Sequence, residues 1–163
     1  MEKRKEYESK NVQIVHYSDK YQHAFKALNI EWIQKYFKVE PEDLKSLDHP
    51  GSYILDKGGA IFVALSEGEA LGVCALVKMD DPDYDYELAK MAVSPKAQGK
   101  GMGYLLGKAI LAEAEKRGAR NVYLESNTKL TPAINLYKKL GFELVPGRET
   151  PYERCNIQMA IHF

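Results

Sequence analysis

The spacing of apolar residues along the chain predicts seven β-strands. Polar and apolar residues alternate, or short apolar runs stand between turn residues, over residues 12–17, 60–65, 70–79, 86–93, 121–126, 142–145 and 156–161. Only short turns separate the second, third and fourth of these segments. They are therefore expected to pair as antiparallel hairpins.

Four other stretches carry apolar residues three and four positions apart, the pattern of amphipathic helices. Caps, prolines and glycines set their expected ends: from Ser18 or Asp19 to Phe37 with a break near Asn29, from Pro41 to Pro50, from Gly101 to Arg117, and from Thr131 as the cap to Gly141. The third helix is expected to bury the stripe Leu106, Ile110 and Ala114. This order of elements favours an α/β (α+β) domain with a mixed sheet.

Composition narrows the class of protein. The 163 residues, 45% of them apolar, suffice for one sizeable core, so a single domain over residues 1–163 is expected, with a flexible segment at residues 1–10. The 23 basic and 23 acidic residues balance, which argues against nucleic acid as a partner. No apolar run approaches the roughly 20 residues that cross a bilayer, and the N-terminus lacks a signal-peptide core, so a cytoplasmic protein without membrane attachment is expected.

Cysteine and histidine offer no recognisable chemistry. Cys74 and Cys155 stand in apolar, strand-like contexts, where reduced thiols are usual, and neither has a histidine in a context that suggests activation. The four histidines lack the spacing of metal ligands, so no metal site is expected.

The segment QGKGMG, residues 98–103, stands between a predicted strand and a predicted helix. A Walker loop is excluded, because no Gly-Lys pair followed by Ser or Thr stands at the required spacing. A dinucleotide fingerprint is matched only in part: Gly99 and Gly101 begin it and Glu125 mimics its ribose-binding acid, but Tyr104 replaces the third glycine. The hairpin-connected strands before the loop also disagree with that fold.

A third interpretation is a loop whose N–H groups, from Gly99 to Gly103, surround a pyrophosphate at the positive N-terminus of the following helix. Glycine would be needed there because a Cβ would block close approach of the main chain or a positive φ. The alternative is that the glycines only form a tight turn between strand and helix.

The residues around these glycines resemble a known family. ELAKMAVSPKAQGKGMGYLL, followed by VYLESN and PAINLYKKLGFE, is similar to the acetyl-coenzyme A binding core of the GNAT superfamily of N-acetyltransferases over residues 86–143. The family signature of Gln or Arg, two residues, Gly, one residue, and Gly or Ala is supplied by Gln98, Gly101 and Gly103. The resemblance implies a single GNAT-like domain with about six to seven strands and about four helices, in which strands 4 and 5 splay apart to admit the pantetheine arm.

The resemblance also implies which residues hold the cosubstrate, acetyl-CoA. The main chain from Met91 through Ala92 to Val93 would pair with the pantetheine arm. The pyrophosphate would lie on Gln98, Gly99, Lys100, Gly101, Met102 and Gly103. Here Lys100 would add charge near the phosphates or simply remain in solvent.

One position departs from the family pattern. Family members often carry a coenzyme-binding asparagine three residues before the alanine that matches Ala133, and Leu130 stands there in this chain. Asn127 and Asn135 lie nearby, out of register, as substitute candidates for this contact.

Acetyl transfer to an amine needs a base, a polarised carbonyl and a stabilised thiolate. Strict alternation puts Glu87 on the same face of its strand as Met91 and Val93, where several family members carry a glutamate base; the alternative is an ordinary cross-strand pair. Tyr137 matches a tyrosine that many members direct at the coenzyme sulfur; the alternative is a core residue of its helix. A backbone N–H near Met91 would polarise the carbonyl.

The sequence therefore favours an enzyme that transfers an acetyl group from acetyl-CoA to a primary amine of a small molecule or peptide by direct attack on the thioester. One alternative is a non-catalytic acyl-CoA sensor, against which the presence of both Glu87 and Tyr137 argues. Another is a protein N-terminal acetyltransferase, whose peptide groove would be bordered by Trp32, Tyr36, Phe37 and the loop around Tyr152 and Arg154. A homodimer is compatible with the resemblance, since dimers are common in the family.

Overall fold

The computed structural model describes residues 11–97 and 99–163, so the expectation for residues 1–10 lies outside the described part. Seven strands form one sheet in the order β1-β2-β3-β4-β5-β7-β6. Their bounds are Gln13–His16 (β1), Ala60–Ser66 (β2), Glu69–Lys78 (β3), Tyr86–Val93 (β4), Asn121–Ser126 (β5), Glu143–Leu144 (β6) and Ile157–His162 (β7). Each lies where alternation predicts a strand.

Four α-helices flank the sheet: Gln22–Tyr36 (α1), Pro41–Asp48 (α2), Met102–Lys116 (α3) and Thr131–Leu140 (α4). The predicted break in α1 is wrong: the helix continues through Asn29, whose side-chain amide bonds back to the Phe25 carbonyl at 3.0 Å, an arrangement that a helix accommodates. Among the described residues, no helix has the length and apolar character to span a membrane.

Helix starts were predicted less well than helix bodies. Ser18 precedes a separate 3₁₀ turn, Asp19–Tyr21, and does not cap α1. Thr131 is the first residue of α4, and Leu130 occupies the cap position. A π-helical turn at Gly51–Leu55 follows α2 and was not predicted.

The sheet opens between β4 and β5. These strands are the parallel neighbours, and their pairing comprises only Tyr86 with Val122 and Glu87 with Tyr123. Beyond Glu87 the two strands separate, although β4 continues to Val93 and β5 to Ser126. The predicted splay between strands 4 and 5 is confirmed, and the antiparallel pairing of β2 with β3 and of β3 with β4 disagrees with a dinucleotide-binding fold.

Each face of the sheet carries its own apolar layer. The layer beside α3 and α4 includes Cys74, Leu88, Leu106, Ile110, Ala114 and Val122, and the predicted stripe of α3 is completely buried. The layer beside α1 and α2 includes Phe25, Leu47, Ile61, Val73, Ala75 and Ala92. Residues on one strand therefore reach different helices according to the face they occupy.

A β-bulge in β4 changes that face partway along the strand. Val73 pairs with Ala92 and Ala75 with Ala89, so two steps on β3 correspond to three on β4. The extra residue is accommodated at Lys90, whose φ is 54°. Strict alternation was therefore the wrong assumption for this strand.

The bulge separates residues that the sequence had placed together. Glu87 pairs with Val77, which packs in the layer beside α1 and α2. Met91 and Val93 instead pack against the layer beside α3 and α4. Glu87 and the two predicted coenzyme-binding residues thus face opposite sides of the sheet.

Candidate active site

Two clefts lie where β4 and β5 separate. The first, here called the glycine-loop cleft, has a volume of about 530 Å³ and is bordered by α1, the end of β4, the loop before α3, and α4. The second, the carboxylate cleft, has a volume of about 450 Å³ and is bordered by α1, α2, β4, β5 and the loop between β6 and β7. Trp32, Met91 and Tyr137 line both clefts. Groups bound in the two clefts would therefore meet at these three side chains.

The loop before α3 has the conformation that its glycines permit. Gly99 and Gly101 have φ values of 80° and 71°, in the left-handed region that side chains other than glycine rarely adopt. Gly101 stands at the cap position of α3. The first N–H groups of the helix lack partners within it and carry its positive end, which suits an anion in the glycine-loop cleft.

Gly103 differs from these two glycines because it stands close to α4. A Cβ built on it would stand 3.1 Å from Leu136 Cδ2 of α4. The glycine therefore lets α3 and α4 approach closely beside the glycine-loop cleft.

The structure brings most of the predicted coenzyme-binding residues to one cleft. Met91, Val93, Gly99, Gly101, Met102 and Gly103 all line the glycine-loop cleft. Ala92 is 1% exposed, its side chain packs on the opposite face, and it does not line the cleft. Gln98 lies outside the described residues.

Three predicted contacts are not brought to this cleft. The Lys100 ammonium donates a hydrogen bond to Ser66 Oγ, 3.2 Å away on β2, which directs it away from the lining residues. Asn127 donates to the Arg154 carbonyl at 2.7 Å and holds a loop instead. Asn135 is exposed on α4, because it follows the buried Ile134 on the helix.

Sequence reasoning missed a group of cations around the same cleft. Lys35, Lys129 and Lys139 line it. The Nζ of Lys129 lies 4.3 Å from the centre of the Phe37 ring, and that of Lys139 lies 4.5 Å from the centre of the Tyr104 ring. Lysines on amphipathic helices and loops are usually solvated, so no sequence pattern predicts this arrangement.

Glu87 lies partly buried in the carboxylate cleft. Burial raises the pKa of its carboxyl group to about 8, the nearby charge of Glu125 acts in the same direction, and the Lys90 ammonium opposes both. A carboxyl group with such a pKa exchanges a proton near neutral pH, as a general base must.

Glu125 is the second carboxylate of this cleft and was considered in the sequence only as a mimic of a ribose-binding acid. It accepts hydrogen bonds from the Tyr123 hydroxyl at 2.7 Å and from Thr150 Oγ1 at 2.6 Å. In the described part of the chain it has no ion-pair partner. Glu87 and Glu125 line this cleft together with cations that include Lys90 and Arg154.

Tyr137 stands on α4 where the two clefts meet. Burial raises the pKa of its hydroxyl, and the neighbouring Cys74 thiol acts in the same direction. Within residues 11–97 and 99–163 the hydroxyl makes no hydrogen bond. A neutral phenol in this position can donate a hydrogen bond to a group that lies between the clefts.

An ion-pair cluster closes one side of the carboxylate cleft. Asp43 of α2 accepts from Lys90 Nζ at 3.1 Å and from Arg154 Nη1 at 2.8 Å, and Arg154 also bonds to Glu40 at 3.1 Å. Burial alone would raise the pKa of Asp43, but hydrogen bonds from Arg154 and the Glu40 N–H, with the charges of Lys90 and Arg154, hold it below its ordinary value. The cluster joins α2, the bulge of β4 and the loop between β6 and β7.

Cys74 lies in β3 as its context predicts, but Cys155 lies in the loop before β7 and not in a strand. Burial raises the pKa of both Cys74 and Cys155, and the charge of Glu125 adds to this at Cys155, which opposes formation of a nucleophilic thiolate. In the described ranges no three His, Cys, Asp or Glu side chains stand close enough together to hold a metal ion.

An open mixed sheet, split between two parallel strands, with a glycine loop at a helix N-terminus on one side and carboxylates on the other, is the architecture expected of the GNAT acetyltransferases. The model of the acetyltransferase (GNAT) family matches residues 23–142 of this chain. The chain belongs to this family, which comprises acyltransferases that depend on acetyl-CoA.

Individual relatives agree with this assignment. The chain is 36% identical over 87 residues to the uncharacterised N-acetyltransferase YjgM of Escherichia coli (strain K12), a match that covers 53% of this chain and 52% of the relative. The chain thus spans about half the length of the curated relatives it matches.

Solved structures share the fold across nearly the whole chain. A GNAT acetyltransferase from Staphylococcus aureus Mu50 superposes with a TM-score of 0.82 at 18% identity, covering 93% of this chain and 98% of that one. The yncA protein of Salmonella typhimurium, solved with its cofactor acetyl-CoA, superposes with a TM-score of 0.71 at 18% identity, covering 93% and 94%.

Proposed function

We propose that the protein transfers the acetyl group of acetyl-CoA to a primary amine, without an acyl-enzyme intermediate. The observation that carries this proposal is the meeting of the glycine-loop cleft and the carboxylate cleft at Trp32, Met91 and Tyr137. A thioester entering from one side and an amine from the other would come into contact there.

The glycine-loop cleft fits coenzyme A. The left-handed Gly99 and Gly101 leave the N–H groups at the start of α3 open to a pyrophosphate. Lys129 and Lys139 supply positive charge at the rim. Met91 and Val93 border the opening between β4 and β5, where their main chain would bind the pantetheine arm.

The carboxylate cleft offers a protonated amine the charge of Glu125 and, once Glu87 is ionised, that of Glu87 as well. An alkyl ammonium of pKa near 10.4 would lose its proton to an ordinary glutamate at a cost of about 8 kcal/mol, whereas a carboxylate of pKa about 8 reduces this to about 3 kcal/mol. Glu87 is therefore proposed as the base, directly or through a water molecule.

The leaving group would be stabilised by Tyr137. Acetyl-CoA, when bound, supplies the acetyl group, whose carbon gains a bond to the amine nitrogen and loses its bond to sulfur. The neutral Tyr137 hydroxyl would donate a hydrogen bond to the departing thiolate. A main-chain N–H near Met91 would polarise the carbonyl oxygen. Glu87 would take one proton of the ammonium before attack, and the second proton lost from the nitrogen would pass to the thiolate, which leaves as the coenzyme A thiol.

We favour a small amine over a polypeptide as the acceptor. The bonds of Arg154 to Glu40 and Asp43, with that of Lys90 to Tyr152, cross the space between α2 and the loop that connects β6 to β7. A polypeptide entering the carboxylate cleft would need this space, while a small molecule would not.

The test is release of free coenzyme A from acetyl-CoA over a panel of alkylamines, amino alcohols, amino acids, polyamines, aminoglycosides and peptides with free N-termini, with the product identified by mass spectrometry. Acetylated small amines are expected. Tight coenzyme binding without turnover on any amine would support the sensor alternative, and turnover restricted to peptides would support N-terminal acetylation.

A further inference from the structure

Tyr152 stands in the wall of the carboxylate cleft between two cations. The centre of its ring lies 5.0 Å from Lys90 Nζ and 4.6 Å from the guanidinium carbon of Arg154. Both cations are held by the fully buried carboxylate of Asp43. Arg154 makes a cation–π contact with the ring and Lys90 lies at its hydroxyl edge, so two neighbours hold Tyr152 in place.

The Tyr152 hydroxyl can both accept and donate a hydrogen bond, and its role as acceptor is already filled. Lys90 Nζ lies 3.0 Å from the Tyr152 oxygen. A lysine ammonium has three donors and no acceptor, so the phenol oxygen must be the acceptor in this bond. The phenol proton is left to be donated elsewhere, and within the part of the chain that the structure describes the hydroxyl donates no hydrogen bond.

Lys90 is itself fixed at both ends. Its carbonyl accepts a hydrogen bond from Asn29 Nδ2 at 3.3 Å, and its ammonium lies 3.1 Å from Asp43 with the side chain 9% exposed. Its main chain adopts the left-handed conformation of the bulge. A residue other than glycine keeps this conformation only when its surroundings hold it there. The Tyr152 hydroxyl is thus positioned from the strand that carries Glu87 and Met91.

We propose that Tyr152 binds the acceptor and that Lys90 is the positioning residue that directs the Tyr152 hydroxyl. The acceptor is an amine that also carries an oxygen, as in an amino alcohol or an amino-acid derivative. This oxygen accepts a hydrogen bond from the Tyr152 hydroxyl. The inference rests on the proposed function and refines the class of its amine. An unsubstituted alkylamine would leave the Tyr152 donor without a partner in the cleft and would be a poorer substrate.

The test compares matched pairs of amines, beginning with ethanolamine and n-propylamine, which have the same number of heavy atoms. In the wild type, kcat/KM should be higher for the amino alcohols. Tyr152→Phe should lower kcat/KM for the amino alcohols roughly five- to tenfold, as expected for one lost neutral hydrogen bond, and change that for the alkylamines less than about twofold.

Lys90→Met should reduce the same preference, because it removes the ammonium while retaining the length of the side chain. Combined with Tyr152→Phe it should add little, and Lys90→Arg, which keeps charge and donors, should restore part of the preference. Lys26→Met is the matched control: it removes an exposed lysine paired with Asp48 of α2 and should leave the preference unchanged. An equal loss for both amine series in Tyr152→Phe, or no loss, would overturn the inference.

A readout without turnover separates this inference from the proposed function. With carbon-13-labelled tyrosines and saturating coenzyme A, the Tyr152 ring resonance, assigned by its disappearance in Tyr152→Phe, should shift on addition of ethanolamine and not of n-propylamine. If the wild type acetylates no amine, the proposed function fails while this shift still decides the role of Tyr152. An identical response to both amines, or none, would contradict it.

Discussion

The glycine-loop cleft and the carboxylate cleft meet at one point, yet they are built in different ways. In the first, the proposed anion site is main chain of residues close in sequence, from β4 through the glycine loop into α3, and side chains of α1 and α4 form the rest of the lining. The second is formed by charged and aromatic side chains from α2, β4, β5 and the loop between β6 and β7.

Because of this difference, binding of the coenzyme and binding of the acceptor should respond differently to pH and to substitution. Main-chain N–H groups depend on backbone conformation and hardly on pH, whereas carboxylates, ammonium groups and phenols depend on their mutual charges and on burial. Substitutions in the glycine-loop cleft should therefore change coenzyme affinity. Substitutions in the carboxylate cleft should change the response to acceptor and to pH.

The largest effect is expected from Glu87→Gln, which removes the proposed base. Activity near neutral pH should fall on the order of a hundredfold, while coenzyme affinity measured by calorimetry should stay within about twofold. The wild-type kcat/KM should rise with pH through about 8, where Glu87 loses its proton. The variant should recover relative to wild type as pH approaches the pKa of the amine, because the substrate then loses its own proton.

Glu69→Gln is the control for this experiment, since Glu69 is an exposed glutamate of β3 outside both clefts. It should retain the wild-type pH profile. A Glu87→Gln profile equal to that of the wild type would exclude the base role, and a uniform loss at every pH would indicate a positioning defect.

Gly101→Val should weaken coenzyme A binding by roughly thirtyfold, because a branched side chain disfavours the left-handed φ of 71° and would obstruct the phosphates. Gly118→Val is a matched control at the other end of α3, where φ is 79° and the space around the glycine is likewise open. Both should lower Tm, but only the first should change the calorimetric Kd. Unchanged affinity in a folded Gly101→Val protein would refute the pyrophosphate assignment.

Tyr137→Phe should lower kcat by about tenfold and leave the coenzyme Kd nearly unchanged, because only a hydrogen bond formed as the sulfur departs is lost. Tyr86→Phe is the control, since Tyr86 packs on the same apolar layer from β4 and borders neither cleft. If chemistry limits the rate and kcat stays unchanged in Tyr137→Phe, this tyrosine is a packing residue only.

The smallest effect is expected from Glu125→Gln. The negative charge of Glu125 contributes to the raised pKa of Glu87, so its removal should move the rising limb of kcat/KM to lower pH. The acceptor KM should also rise a few-fold, because one attraction for the ammonium is lost. A limb that stays at the wild-type pH would mean that the two carboxylates do not interact during turnover.

The sequence predicts the glycine-loop cleft better than the carboxylate cleft for a physical reason. The glycines at residues 99, 101 and 103 predict an unusual backbone conformation at the start of a helix, and this prediction needs only residues that are neighbours in the sequence. Asp43 forms ion pairs with Lys90 and Arg154, which are 47 and 111 positions away from it in the sequence. Neither composition nor periodicity contains information about such distant pairs.

The bulge at Lys90 marks the limit of reasoning from alternation. The bounds of β4 were predicted correctly, yet one extra residue reversed the face of everything beyond it. Alternation predicts that Glu87 shares a face with Met91 and Val93, whereas Glu87 lies in the carboxylate cleft. The bulge is held by Asn29 of α1, a contact that no local signal on β4 reveals.

The buried carboxyl group of Glu87 also affects how firmly the protein is folded. Its pKa is about 8 in the folded protein and 4.5 ordinarily, so between these pH values the unfolded chain loses a proton that the folded protein keeps. The free energy of unfolding therefore falls as pH rises from 4.5 to 8, and the deficit persists above 8. Glu87→Gln should raise Tm above pH 8 and leave it nearly unchanged below pH 4.5. The residue proposed to prepare the amine is thus one at which selection for stability alone would favour glutamine.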